Sequence, residues 1–203
     1  GGKGYGGQHS QSLESMFAHI PGTYVAYPSN PYDAKGMIKT AVRTNNPVVF
    51  VEGQLLYNVK GVVPEEDYTV PFGVANIVRE GSDVTIVAWG PAVADALKAA
   101  ETLAGEGISA EVIDPRTLVP FDSEAIFASV RKTGRCVVVS QCVDIGSFTG
   151  EIVSQVVANC FDDLDAPVLK IGAKNGIAPQ AYTLEEAFLP TAADIVAAVK
   201  KLY

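Results

Sequence analysis

Asp83-Val84-Thr85-Ile86-Val87-Ala88-Trp89 is a mostly apolar, β-branched run, closed by Gly90-Pro91 and too short for a helix. That is how a strand covered on both faces reads. Directly after it, Ala92 to Ala104 sets Val93, Leu97, Ala100 and Leu103 at helical spacing, and Ala110 to Ile113 is apolar and short again. Strand, helix, strand is one crossover unit, and a crossover helix joins parallel strands. The alternation continues with a helix over 122–131 capped by Asp122 or Ser123, and a strand from Cys136 to Val139. A helix from about Phe148 to Asn159, a strand from Pro167 to Ile171 and a closing helix from Thr191 to Leu202 complete it. The prediction is an α/β fold, a mostly parallel sheet with helices on both faces. Ligands of such sheets lie beyond the carboxyl ends of the strands. Those ends are Gly90-Pro91, Asp114-Pro115-Arg116 and Ser140 to Ser147.

Upstream of Asp83 the pattern changes. Residues 58–73 hold two prolines, two glycines and the cluster Glu65-Glu66-Asp67 without any period, the composition of a linker. The predicted division is therefore 1–58, a linker over 59–71, and a second unit over 72–203. In the first unit Ser29-Asn30-Pro31 starts a helix, with a capping side chain and a proline where a missing N–H costs nothing. Ala34, Ile38, Ala41 and Val42 give that helix an apolar stripe through Arg43, and Asn45-Asn46-Pro47 ends it. Val48-Val49-Phe50-Val51 then reads as a strand buried on both faces.

The 203 residues carry 15 Lys+Arg against 23 Asp+Glu, a net charge of −8. Such a balance argues against a nucleic-acid surface. Residues 1–58 hold four basic and three acidic side chains, and residues 59–203 eleven and twenty, so the acidic surplus lies wholly beyond residue 58. It would suit a basic docking partner. No stretch approaches the ~18 apolar residues of a membrane helix, and no signal-peptide pattern opens the chain. The expectation is a soluble, intracellular protein. Cys136, Cys142 and Cys160 are odd in number and lack metal-type spacing, so they read as buried small thiols. The first residue is not Met, and five of the first seven are Gly. The expectation is a truncated or processed product.

Gly2-x-Gly4-x-x-Gly7 matches the dinucleotide fingerprint by letter, but no strand precedes it and no amphipathic helix opens within it. A flexible loop is the expected structure. The chain holds only two histidines. His9 follows glycines that let an imidazole approach a ligand, with Gln8, Ser10 or Gln11 able to fix its tautomer, and is the candidate for proton transfer. His19 ends an apolar helix, where a histidine satisfied by carbonyls is the default. Arg116 can hold a carboxylate or phosphate bidentately, although an ion pair with Asp114 or a neighbouring helix is the simpler expectation. Asp162-Asp163-Leu164-Asp165 lacks the spacing of a calcium loop and reads as a solvated turn. The helix end before Asn46-Pro47 leaves carbonyls unpartnered, because Pro47 cannot donate. Such a cluster can hold a hard cation, though water normally suffices.

The run Gln8-His9-Ser10-Gln11-Ser12-Leu13-Glu14, followed by Phe17-Ala18-His19-x-Pro21-Gly22, Pro31-x-Asp33-Ala34-Lys35-Gly36 and Asn46-Pro47, resembles one family. It is the β subunit of the thiamine-diphosphate-dependent 2-oxo acid dehydrogenases, the decarboxylating first component of pyruvate, branched-chain and acetoin-type complexes. Pro64-Glu65-Glu66-Asp67-Tyr68, Glu111-Val112-Ile113-Asp114-x-Arg116-Thr117, Lys132-Thr133-Gly134-Arg135 and Leu164-Asp165-Ala166-Pro167 extend the resemblance along essentially the whole chain.

The resemblance implies that residues 1–58 are the latter part of a pyrimidine-binding thiamin fold and 72–203 a transketolase C-terminal-like domain. It implies an oxidoreductase that decarboxylates a 2-oxo acid, pyruvate favoured, and acylates lipoyl groups of an acyltransferase core. His9 takes the position of the family's active-site histidine. The cofactor is thiamine diphosphate, shared with an α subunit in an α2β2 heterotetramer. The α subunit holds magnesium and the diphosphate, and the activating glutamate lies upstream of the histidine motif, so a lone copy of this chain should be inactive. Backbone carbonyls at Ala41, Val42, Thr44 and Asn46 correspond to a structural potassium site, with Thr44 replacing the usual Asp. Ser140-Gln141 and residues 175–180 depart from the family pattern in loops expected to face subunit contacts. Such a protein would be cytoplasmic in a bacterium, or in the mitochondrial matrix or a plastid. A non-catalytic assembly domain and another transketolase-like enzyme are the alternatives.

Overall fold

The computed structural model describes all 203 residues. In chain order the elements are α1 (Gly6–His9), α2 (Glu14–Ala18), β1 (Tyr24–Ala26), α3 (Pro31–Arg43) and β2 (Val48–Phe50). Then come β3 (Asn76–Arg79), β4 (Val84–Ala88), α4 (Ala92–Gly105), β5 (Ala110–Asp114), β6 (Thr117–Val119) and α5 (Ser123–Thr133). The chain ends with β7 (Cys136–Val143), α6 (Phe148–Cys160), β8 (Leu169–Ala173), α7 (Tyr182–Phe188) and α8 (Ala192–Val199). No helix is long and apolar enough to cross a membrane.

A five-stranded sheet runs in the order β3-β5-β4-β7-β8. All its pairings are parallel except β3 with β5. The strand period of two divides β4 between two cores. Val84, Ile86 and Ala88 pack with Ala96, Ala100 and Leu103 of α4 and Ile195 of α8. Val87 faces Ile126 and Val130 of α5 and Ile152 and Val156 of α6. Thr85, on that second face, is satisfied by the hydroxyls of Ser129 at 2.6 Å and Thr133 at 2.8 Å, so a buried polar side chain costs the sheet little. Asp122 caps α5 through the Ala125 N–H, and Thr191 and Asp194 form a capping box on α8. All three cysteines are free and buried.

A second sheet of three strands, β2-β1-β6, ties the N-terminal stretch to the middle of the chain. β1 pairs parallel with β2 and antiparallel with β6. Val25 and Tyr27 thereby join the core under α5 and α6. Between Leu56 and Asn76 the chain has no helix or strand.

Two local expectations are corrected. β2 is half-buried along its length rather than enclosed, because it lies at the edge of its sheet. Helix α3 is rotated: it buries Asp33, Gly36 and Met37, while Ile38 is 42% and Val42 81% exposed. The rotation follows from charge. Asp33 has 1% of its side chain exposed and must be paired. Its partner is Arg116, whose Nη2 lies 2.9 Å from Asp33 Oδ1. Gly36 completes the contact, since a Cβ there would come within 2.4 Å of Val70 Cγ2.

Arg116 sits at φ +60°, in left-handed backbone that is rare for a side-chain-bearing residue. Its N–H donates to Asp114 Oδ1 at 2.8 Å, and its carbonyl accepts from Tyr27 N–H at 2.9 Å. Asp114 is fully buried, and burial first of all pushes its carboxyl up to about 7, against hydrogen bonds from Ser29 and the Arg116 N–H. A folded-state value above the unfolded one means that the stability contributed by Asp114 is fully present below pH ~4 and is lost as pH rises through about 7. Asp114→Asn should remove that decline: its unfolding midpoint, followed by circular dichroism between pH 5 and 8, is expected to fall several degrees less than that of the parent chain. Parallel curves would show that Asp114 is ionised throughout.

Candidate functional site

The carboxyl ends of β4, β5 and β7 mark the ligand side of the large sheet, and the chain's own N-terminal segment covers them. Gly53 lies against Pro91, as its Cβ would meet Pro91 Cγ at 2.9 Å. Asp33 meets Arg116 beyond β5. Residues Ser12 and Ser15 meet Cys142 of β7, whose Sγ is 3.3 Å from Ser12 O and from Ser15 Oγ. Burial, then the Glu14 carboxylate, push the Cys142 thiol up to about 12, so it stays protonated and inert as a nucleophile. Glu14 is 2% exposed and accepts the Trp89 Nε1–H at 3.0 Å. That bond fastens α2 to the end of β4.

On this anchored segment stands the turn that carries His9. Gly2, Lys3, Gly4 and Gly6 all have positive φ, from +68° to +92°. Residue type explains the three glycines, which enter the left-handed region without steric penalty, but not Lys3, whose φ of +74° is rare for a residue with a side chain. Ser10, 3% exposed, closes the turn: its hydroxyl donates to Gly2 O at 2.8 Å and accepts from Tyr5 N–H at 3.0 Å. The expected flexible loop is therefore a hydrogen-bonded turn followed by one short helix, α1. Its floor comes from the far end of the chain. A Cβ on Gly4 would stand 2.8 Å from the backbone O of Gln180, and one on Gly7 2.5 Å from Ile177 Cγ2. The Gly4 N–H donates to Glu185 Oε2 at 2.9 Å.

His9 ends α1 with an exposed imidazole, in edge contact with Tyr5 at 6.3 Å between ring centroids. None of Gln8, Ser10 and Gln11 bonds the ring: Ser10 is committed to the turn and Gln11 to Gly7 O. An exposed imidazole on a fixed backbone can exchange protons with a group brought to it from outside. His19 stands apart. It follows α2 and lines a 970 Å³ groove with Met16, Phe121, Phe148 and Glu151. Lys170 and Asp144 form an ion pair at 2.8 Å beside that groove.

At the end of α3 the Thr44 N–H bonds Thr40 O at 3.0 Å. The carbonyls of Ala41, Val42, Thr44 and Asn46 receive no backbone N–H from the turn that follows. The Asn46 N–H turns to the Thr44 hydroxyl, and its amide to Gly22 O at 3.4 Å. Uncapped neutral oxygens are the donor type a hard cation takes. No group of three or more His, Cys, Asp and Glu side chains in the chain is placed to hold a metal ion.

Glu14, Arg116 and Glu185 carry the architecture of the site, and sequence reading singled out only Arg116. The signal for Glu185 was absent, because its partner Gly4 lies 181 residues away.

Two family profiles match the chain: the transketolase pyrimidine binding domain over residues 1–60 and the transketolase C-terminal domain over 73–195. The acetoin:2,6-dichlorophenolindophenol oxidoreductase subunit beta of Bacillus subtilis is 46% identical over 195 residues, covering 96% of this chain and 57% of that one. The pyruvate dehydrogenase E1 component subunit beta of the same organism is 41% identical over 195 residues, 96% of this chain and 60% of that one. The chain thus spans rather more than half the length of these relatives. Among solved structures, a split gene transketolase described as an inactive beta4 tetramer superposes with a TM-score of 0.73 at 29% identity. The match covers 93% of this chain and 60% of the transketolase.

Proposed function

This chain belongs to the transketolase family, and we propose that it acts there as the β-type half of a thiamine-diphosphate-dependent 2-oxo acid dehydrogenase first component. The observation that carries the reading is the exposed His9 imidazole on a backbone turn locked by Ser10 and Glu185. The similarity to pyruvate dehydrogenase and acetoin oxidoreductase β subunits over 96% of the chain supports it.

Thiamine diphosphate, when bound, supplies the electron sink that lets a 2-oxo acid lose carbon dioxide. His9 donates or accepts a proton at the oxygen or sulfur where charge develops as the acyl group bonds to one sulfur of a lipoyl disulfide, the S–S bond breaks and the second sulfur leaves as a thiol. The rigid turn keeps the imidazole in one place, which lowers the entropy that must be lost in reaching the reactive geometry. The diphosphate, its magnesium and the complementary wall of the cleft are assigned to an α subunit in an α2β2 assembly, with a lipoyl acyltransferase core as the acceptor. The carbonyls of Ala41, Val42, Thr44 and Asn46 would hold a potassium ion that stiffens the end of α3. Residues 1–58 are the latter part of the pyrimidine-binding unit on this reading, 59–71 the linker and 72–203 the C-terminal unit. The compartment would be the bacterial cytoplasm, a mitochondrial matrix or a plastid.

Pyruvate is the favoured substrate. Acetoin is the second reading, favoured by the higher identity to acetoin oxidoreductase β subunits. The test is to assemble the complete β chain with its α partner, thiamine diphosphate and magnesium. Carbon dioxide release from pyruvate and branched-chain 2-oxo acids is then assayed beside acetoin-dependent reduction of dichlorophenolindophenol. Turnover of pyruvate above the others is expected. Formation of a stable complex that turns over none of them would leave an assembly domain in place of an enzyme.

A further inference from the structure

Residues 177–185 of the chain's far end lie directly beneath the turn that carries His9. Glu185 is the polar centre of that contact. Its side chain is 5% exposed, one carboxylate oxygen accepts the Gly4 N–H at 2.9 Å, and the other, Oε1, is buried with no partner. A lone buried carboxylate is a costly way to hold two surfaces together unless the bond it makes is needed. The bond is made to a backbone group in left-handed conformation, Gly4 at φ +68°, where no neighbouring turn carbonyl satisfies that N–H. Without an acceptor there, the half-buried Gly4 N–H would lose its partner and the run from Gly2 to Gly6 the contact that selects its rare backbone geometry.

We propose that Glu185 is the positioning residue for His9: through its bond to Gly4 it fixes the turn, so that the C-terminal segment sets where the imidazole points. The inference rests on the reading of His9 given above. It also gives residues 175–180 a role in the chemistry, since Ile177 and Gln180 pack against Gly7 and Gly4.

The experiment uses the assembled enzyme with Glu185→Ala, Glu185→Asp and Glu185→Gln. Gln keeps an acceptor oxygen at the same reach, Asp keeps the charge but falls one methylene short, and Ala removes both. Amide hydrogen exchange over residues 4–10, read by mass spectrometry, is expected to quicken roughly tenfold or more in Ala and Asp and to stay near the parent rate in Gln. Acyl transfer to lipoyl should follow the same order, kcat falling roughly tenfold in Ala and Asp with KM for the 2-oxo acid unchanged. Unchanged exchange at 4–10 in the Asp variant would overturn the proposal even if the Ala variant fails to fold. So would a Gln variant as damaged as Ala, or a quickened exchange that leaves kcat untouched while His9→Ala abolishes it. Should His9→Ala itself leave turnover intact, the catalytic reading fails, while the exchange data still decide whether Glu185 holds the turn.

Discussion

His9→Ala in the assembled enzyme is expected to lower lipoyl acylation by roughly a hundred- to ten-thousand-fold, the range over which a positioned proton donor or acceptor contributes. Binding of thiamine diphosphate should change little, because no residue of this chain is assigned to its diphosphate. The folded structure has little reason to respond. The imidazole is exposed, it makes no hydrogen bond, and its aromatic contact is the edge approach of Tyr5 at 6.3 Å. The turn is held instead by Ser10 and Glu185. The unfolding midpoint of the variant should therefore stay within a degree or two of the parent, which separates lost chemistry from lost structure. Its exposure adds a second readout. A small imidazole in solution can reach the vacated place, so millimolar imidazole should restore part of the transfer rate, and a buried histidine would not be rescued this way. Full turnover by His9→Ala would remove the catalytic role.

How much of this could be read from sequence differs by element, for physical reasons. β4, α4 and β5 were legible because their environment is set locally. A strand covered on both faces is apolar throughout, and a helix against a sheet repeats its apolar residues with its own period. β6 was not legible. It is three residues long and exists because it pairs with β1, some ninety residues earlier. Helix α3 shows the same limit in another form. Its existence and its Asn30 cap were plain from Ser29-Asn30-Pro31, but its rotation is decided by the ion pair of Asp33 with Arg116 and by the close approach of Val70 to Gly36. The apolar stripe of Ala34, Ile38, Ala41 and Val42 pointed the other way. In the His9 turn, the glycines declared unusual backbone, yet composition alone cannot separate a flexible turn from a fixed one. The difference lies in Gln180 and Glu185, which no local window contains.

The largest expected effect on stability belongs to Arg116. Arg116→Met keeps the volume of the side chain and removes its charge, leaving Asp33 buried without its counter-charge while Asp114 keeps its bonds from Ser29 and the backbone N–H of residue 116. Breaking a buried pair by removing one partner costs about 3–5 kcal/mol, most of it the penalty of the stranded charge. Here Asp33 is the stranded carboxylate, so a loss within that range is expected at pH 8. Lowering the pH should shrink the loss. Burial already pushes Asp114 up to about 7, and without the Arg116 charge its protonation is favoured further, so the gap between the parent and variant curves should narrow toward pH 5. The double variant Asp33→Asn, Arg116→Met should recover much of the deficit, because the amide can keep the Asn30 contact without needing a counter-charge. That coupling separates the ion pair from the backbone, as Met at 116 inherits the same left-handed φ in both variants. Denaturant unfolding at pH 8 and pH 5 reads all of these quantities. A loss under about 0.5 kcal/mol for Arg116→Met at pH 8, the scatter of an ordinary surface substitution, would mean that Arg116 does not hold α3 to the end of β5.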